Sequence, residues 1–219
     1  MNIRFFIVTL FLALFLQTNA KTEACNLQKS NYSNFYTVDV EQVLCIARNS
    51  DKDITIFYTY ADWCAPCRRE LPNAIKLAKK NNADFYMILV DRESDTQLIS
   101  NVTHTIDSVF HGNIKAVIIA DALLSERSQR RLNRPIVVDM RNLTAREKYS
   151  RFLREIATPQ FRNVEDAMGL YIVVNNKGEV LFITESNRES ELRTSEQIRE
   201  RITRIIEADR RGRKTSHNF

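Results

Sequence analysis

The chain has 219 residues, of which 44% are apolar and 27% charged, with only four glycines and four prolines. That composition excludes collagen-like, low-complexity and wholly disordered chains, and it supports one domain, with or without insertions, around a real core. The formal net charge of +5 gathers in Arg210-Arg211-Gly212-Arg213-Lys214. With no aromatics interleaved, this run reads as a solvated basic tail over 210–219 rather than a nucleic-acid surface.

In chain order, Arg4 precedes an apolar run from Phe5 to Leu16, followed by the small-residue stretch ending at Ala20. This pattern predicts a secretory signal over 1–20, too short for a comfortable membrane span. The expected destination is the periplasm or another exported, disulfide-permissive place, or the endoplasmic reticulum lumen in a eukaryote. A membrane contact is expected only if the signal stays uncleaved. Residues 21–36 are polar and read as a flexible leader.

Val38 to Arg48 places Val40, Val43, Leu44 and Ala47 at helical spacing, and Ile54 to Tyr60 has the β-branched and aromatic content of a buried strand. Cys67, Leu71, Ile75 and Ala78 then form one helical stripe, and Phe85 to Val90 reads as a second strand. Strand, helix and strand with short links predict a parallel βαβ unit. Further on, Asp95 to Phe110 reads as a helix, and Ala116 to Ala120 as strand or helix. Ser125 to Asn133 reads as a charged helix or loop, Ile136 to Val138 as a strand, and Thr144 to Ile156 as an amphipathic helix. Leu170 to Val174 and Val180 to Thr184 are joined by Asn175-Asn-Lys-Gly178, a hairpin signal. A last helix starts near a capping box of Thr194 and Gln197.

Two cysteines lie in Trp63-Cys64-Ala65-Pro66-Cys67, between a predicted strand and a predicted helix. A strand running into this motif puts Cys64 at a helix N-terminus, where backbone N–H groups and the helix dipole favour the thiolate. Cys67, one turn further on, is more covered. The spacing lets the two sulfurs bond each other or engage a substrate in turn. Pro66 suits the first helical turn.

The motif, with Pro72 five residues beyond Cys67, resembles the thioredoxin superfamily. The fuller stretch Ala61 to Pro72 resembles its exported TlpA/ResA branch of disulfide reductases. The resemblance implies an α/β thioredoxin-like fold over 37–209. Its central mixed sheet, in the order βαβ…ββα, would be flanked by helices, with an insertion of about 92–168 before the C-terminal hairpin. It implies Cys64 as the attacking and Cys67 as the resolving cysteine, Trp63, Met168 and Gly169 at the substrate, and Pro66 and Pro72 in support. The implied partners are a protein disulfide or dithiol and an upstream electron-donor protein. The redox-active pair itself is the only implied prosthetic element, with no metal, other cofactor or nucleic acid. Two departures stand out: Gly169 occupies the place of the family's cis-proline, and Tyr58 that of a buried acid.

Cys25 and Cys45 either pair as a second disulfide or remain a loose thiol and a small core residue. His104, His111 and His217 show no metal-ligand spacing. A binding module that holds a partner without turnover is the alternative function. A thiol peroxidase would need a different loop around its cysteine.

Overall fold

The computed structural model describes residues 24–111, 114–124, 137–139, 144–161, 167–184 and 195–216. The expected signal, the stretch Ser125 to Asn133, Thr194 and His217 fall outside the described residues. The elements are β1 (Gln28–Lys29), β2 (Tyr36–Val38), α1 (Val40–Arg48), β3 (Ile54–Tyr60), α2 (Ala65–Lys80), β4 (Asp84–Leu89) and α3 (Thr96–Phe110). Then follow β5 (Lys115–Ile119), β6 (Ala122–Leu124), β7 (Val137–Asp139), α4 (Ala145–Ile156), a single 3₁₀ turn, β8 (Tyr171–Asn175), β9 (Val180–Ile183) and α5 (Ser195–Ser216).

Among the described residues, seven strands form one mixed sheet in the order β1-β2-β5-β4-β3-β8-β9. β3 lies inside the sheet, and all seven of its residues are buried, as expected for a strand covered on both faces. It runs parallel to β4 and antiparallel to β8. The pair α1 and α4 and the pair α2 and α5 pack together and flank the sheet. The hairpin β8–β9 turns at Gly178, whose φ of +78° suits glycine. The Asn175 side chain accepts hydrogen bonds from the backbone N–H groups of Lys177 and Glu179, both at 3.0 Å, and so holds the turn. The expected α/β architecture of βαβ followed by ββα is therefore the one observed.

Four expectations change. The leader is not loose: Cys25 is buried and disulfide-bonded to Cys45 of α1. Beyond Cys25, β1 pairs with β2, and β2 runs parallel to β5 inside the sheet. The cross-link closes a separation of 20 residues, worth about 3 kcal/mol by the chain-entropy argument. α1 starts at Val40 rather than Val38, because Val38 belongs to β2 and Asp39 caps the helix in a reciprocal box with Gln42.

The segment 92–168 is not a simple insertion. It supplies β5, which lies between β2 and β4 inside the sheet, and of the run Ala116 to Ala120 it makes all but Ala120 strand. Nor do residues 210–213 form a frayed tail, since α5 continues to Ser216. Arg210 makes two hydrogen bonds to the Asp53 carboxylate, at 2.7 and 2.8 Å, and Arg213 a third at 3.0 Å. The Arg210 bond is the main reason that Asp53 sits below its ordinary pKa. Among the described residues, no helix is long and apolar enough to cross a membrane.

Candidate active site around Cys64 and Cys67

β3 delivers the chain to Cys64, the N-cap of α2, whose sulfur accepts the backbone N–H of Cys67 at 3.2 Å. Pro66 stands in the first turn, where its missing N–H costs no helical bond. Cys64 and Cys67 form a disulfide. Cys64 keeps 8% of its surface and Cys67 only 1%, so Cys64 is the more accessible sulfur. Pro72 lies on the exposed side of α2, where the backbone bond it removes faces solvent. Arg68 turns back and donates to the Asp62 carbonyl oxygen, closing the loop that carries Trp63.

Trp63 is 55% exposed, an aromatic face beside the disulfide. Its indole N–H donates to Asp91 Oδ1 at 2.8 Å. Asp91 follows β4 and is buried, and among the described residues its Oδ2 has no hydrogen-bond partner. Burial pushes its carboxyl above the ordinary pKa, against the opposing pull of the Trp63 N–H. Beneath it, Lys148 of α4 is fully buried. Its ammonium donates to Asp91 O at 2.7 Å, Ile119 O at 2.9 Å and Asp121 Oδ1 at 2.8 Å. Burial holds Lys148 below the usual lysine range.

The segment before β8 closes the site from the other side. Thr59 Oγ1 accepts the Leu170 N–H at 2.8 Å and pairs with the Tyr149 hydroxyl at 3.0 Å, and Tyr149 donates to the Ala167 carbonyl at 3.0 Å. One proton per hydroxyl satisfies this whole chain if Thr59 donates to Tyr149. The network fixes Met168, which is half-buried against the core, and Gly169. Gly169 has φ +81°, and a Cβ there would lie 3.3 Å from Cys67 Sγ and 3.0 Å from the Tyr58 hydroxyl. Its backbone therefore lies directly against the cysteine pair.

Tyr58 is buried in β3, and its hydroxyl donates to the Cys67 carbonyl at 3.3 Å. Its ring stands 5.1 Å from that of Tyr171. The Tyr171 hydroxyl donates to Glu70 at 2.7 Å, and Arg199 of α5 pairs with the same carboxylate. Glu70 is thus committed to the α2–α5 contact.

The structure brings together Trp63, Cys64, Pro66, Cys67 and Gly169, places Met168 next to Gly169, and leaves Pro72 further along α2. Asp91, Lys148, Thr59 and Tyr149 are site residues that pattern reading missed. Asp91 alone left a signal, as an acid ending an apolar strand. Among the described residues, no group of three or more side chains could hold a metal.

Asp91→Asn should stabilise the protein at neutral pH. The raised folded pKa means that the unfolded chain releases its proton first as pH rises. The buried carboxylate is therefore harmless in acid and increasingly costly through that window, while the amide keeps an acceptor for Trp63. Urea midpoints of the two proteins should coincide in acid and separate, in favour of the variant, towards neutrality. Equal midpoints throughout would disprove the assigned burial cost.

No family model matches the sequence, and no curated protein does. Among solved structures, the chain is similar to StoA from Bacillus subtilis, at 14% identity over 69% of this chain and 84% of that one, with a TM-score of 0.36. It is similar to the N-terminal domain of PilB from Neisseria gonorrhoeae, at 14% identity over 79% and 88%, TM-score 0.36. A thioredoxin-like protein from Porphyromonas gingivalis matches at 12% identity over 72% and 76%, TM-score 0.39. The strand order and the place of the motif on it carry the fold.

Proposed function

We propose that this thioredoxin-like chain is an exported thiol–disulfide oxidoreductase that reduces protein disulfides through Cys64 and Cys67. The observation that supports it best is the disulfide at the head of α2. Its more accessible sulfur is also the helix N-cap, and the bare backbone of Gly169 lies alongside.

In the reduced enzyme the Cys64 thiolate attacks a partner disulfide. One partner sulfur leaves as thiolate, and a Cys64–partner bond forms. Cys67 then loses its proton and attacks the Cys64 sulfur, the second partner thiolate leaves, and the enzyme disulfide closes. Two electrons have passed to the partner. An upstream dithiol protein returns them through the same exchange. The helix N-terminus favours the Cys64 thiolate at both stages. Trp63 offers the partner an apolar face, and Gly169 offers it bare backbone beside the cysteine pair. No other cofactor enters this scheme. The Cys25–Cys45 cross-link fits an exported chain, in the periplasm or a comparable oxidising place.

Insulin reduction in the presence of dithiothreitol tests this reading. The wild type should accelerate precipitation, Cys64→Ser should abolish the effect, and Cys67→Ser should accumulate partner adducts that dithiothreitol releases. Absence of turnover in the wild type, with stable adducts in Cys67→Ser, would instead identify a module that holds its partner.

A further inference from the structure

Glycine has the freest backbone of any residue and no ring to fix its φ. Gly169 nevertheless holds one conformation, with φ +81°, and a Cβ on it would lie 3.3 Å from Cys67 Sγ. The ladder between β3 and β8 stops at Tyr58 and Tyr171. Beyond it, the Thr59 N–H donates to the Leu170 carbonyl at 3.0 Å. The two residues before Leu170 are held by side chains from elsewhere in the chain.

Those side chains are two hydroxyls on fully buried residues, Thr59 and Tyr149. The Leu170 N–H donates to Thr59 Oγ1 at 2.8 Å, Thr59 and Tyr149 share a bond of 3.0 Å, and Tyr149 donates to the Ala167 carbonyl at 3.0 Å. The relay starts on the backbone of residue 170 and ends on that of residue 167, so it closes a ring around Met168 and Gly169. Each hydroxyl both donates and accepts, and bonds linked in this way polarise one another. Tyr149 belongs to α4. The residue before it, Lys148, reaches the opposite wall by donating to the carbonyl of Asp91, whose carboxylate holds Trp63. Two successive residues of α4 thus brace both flanks of the disulfide.

We propose that Tyr149 is a positioning residue of the exchange reaction: with Thr59 it fixes the Gly169 backbone where a partner protein lies across the cysteine pair. This rests on the redox reading of Cys64 and Cys67. Without the Tyr149 hydroxyl, the Ala167 carbonyl loses this donor and Thr59 loses this acceptor. The segment 167–170 then spreads over the conformations that a glycine permits, and docking a partner must first gather them into one. That cost falls on a protein that needs the backbone. It does not fall on a small thiol that meets only the accessible sulfur of Cys64.

The test compares wild type and Tyr149→Phe in two reactions. In the first, insulin reduction is followed over a range of insulin concentrations with excess dithiothreitol. The KM for insulin should rise about five- to tenfold with kcat little changed, the pattern of lost binding. In the second, dithiothreitol alone reduces the Cys64–Cys67 disulfide, read by thiol titration, and the rates of the two proteins should coincide. Thr59→Val should reproduce the rise in KM, and Thr59→Ser, which keeps the hydroxyl, should return it towards the wild-type value. A tyrosine that only fills the core would lower the urea midpoint and leave KM in place, and that result overturns the proposal. So does an equal slowing of both reactions, which would put the effect on the cysteines rather than on docking. If Tyr149→Phe does not fold, the Thr59 variants decide, and a wild-type KM in Thr59→Val overturns the proposal. If the wild type reduces no insulin, the redox reading itself fails, and the inference goes with it.

Discussion

Lys148→Met should lower the unfolding free energy by about 3–5 kcal/mol, the cost of leaving a buried charge network without its partner. The methionine fills nearly the same volume, so loss of packing contributes little. What disappears is an ammonium that bonds three buried oxygens, the Asp91 and Ile119 carbonyls and Asp121 Oδ1. Asp121 is further tied to Glu93, whose Oε1 accepts the Asp121 N–H at 2.7 Å. The variant therefore removes from Asp121, and from the Glu93 bonded to it, the charge that Lys148 supplies. Urea unfolding followed by circular dichroism should show a lower midpoint with an unchanged slope. Adding Asp121→Asn should recover part of the loss, which a merely additive pair would not do. The same change should loosen Asp91 and, through it, Trp63. Trp63 is the one tryptophan in the chain, so its fluorescence reports the site directly. An unchanged urea midpoint would mean that the buried ammonium has no structural role.

Gly169→Ala should be the most damaging single change near the cysteines that leaves both sulfurs in place. Two costs combine. A φ of +81° is strained for any residue with a Cβ, by roughly 1–2 kcal/mol. The new methyl would also stand 3.0 Å from the Tyr58 hydroxyl and 3.3 Å from Cys67 Sγ, an overpacking that costs about 1–3 kcal/mol. Relief requires displacing the 167–170 segment, and insulin reduction should then fall between ~10- and 100-fold. Tyr58→Phe in the same chain removes the nearest atom, so the double variant should recover stability relative to Gly169→Ala alone. Failure to recover would place the strain in the backbone rather than against the phenol. Proline is no substitute at 169, because its ring fixes φ near −65°.

The parts of this chain that sequence made legible are those whose chemistry is local. Cys64, Pro66 and Cys67 announce a capped helix because their roles are set within one turn. Ile54 to Tyr60 announces a buried strand because every residue is apolar or β-branched, and Asn175 to Gly178 announces a turn through side chain and φ alone. The rest depends on partners distant in sequence. A five-residue strand such as β5 carries no mark of its neighbours, so its place between β2 and β4 was not readable. β1 is two exposed polar residues, Gln28 and Lys29, like any leader, and β2 is three residues, Tyr36 to Val38, too short to announce a strand. Arg210 and Arg213 look like a solvated run until Asp53, 157 residues before Arg210, supplies the carboxylate. Lys148 lies one position from the apolar stripe of Tyr149, Phe152, Leu153 and Ile156, and only the ends of β4 and β5 explain its burial. Gly169 was set beside the cysteines only by the resemblance, as the residue in the place of the family's cis-proline. That Tyr58 and Gly169 fit one another required the atoms.

The cross-link between Cys25 and Cys45 bears on how the newly made chain matures. Four thiols permit three pairings. Cys64 and Cys67 are three residues apart, Cys25 and Cys45 are 20 apart, and shorter loops close at lower entropic cost. Once the near pair has joined, the two remaining thiols have only each other, so the native arrangement follows from the order of oxidation and needs no isomerase to correct it.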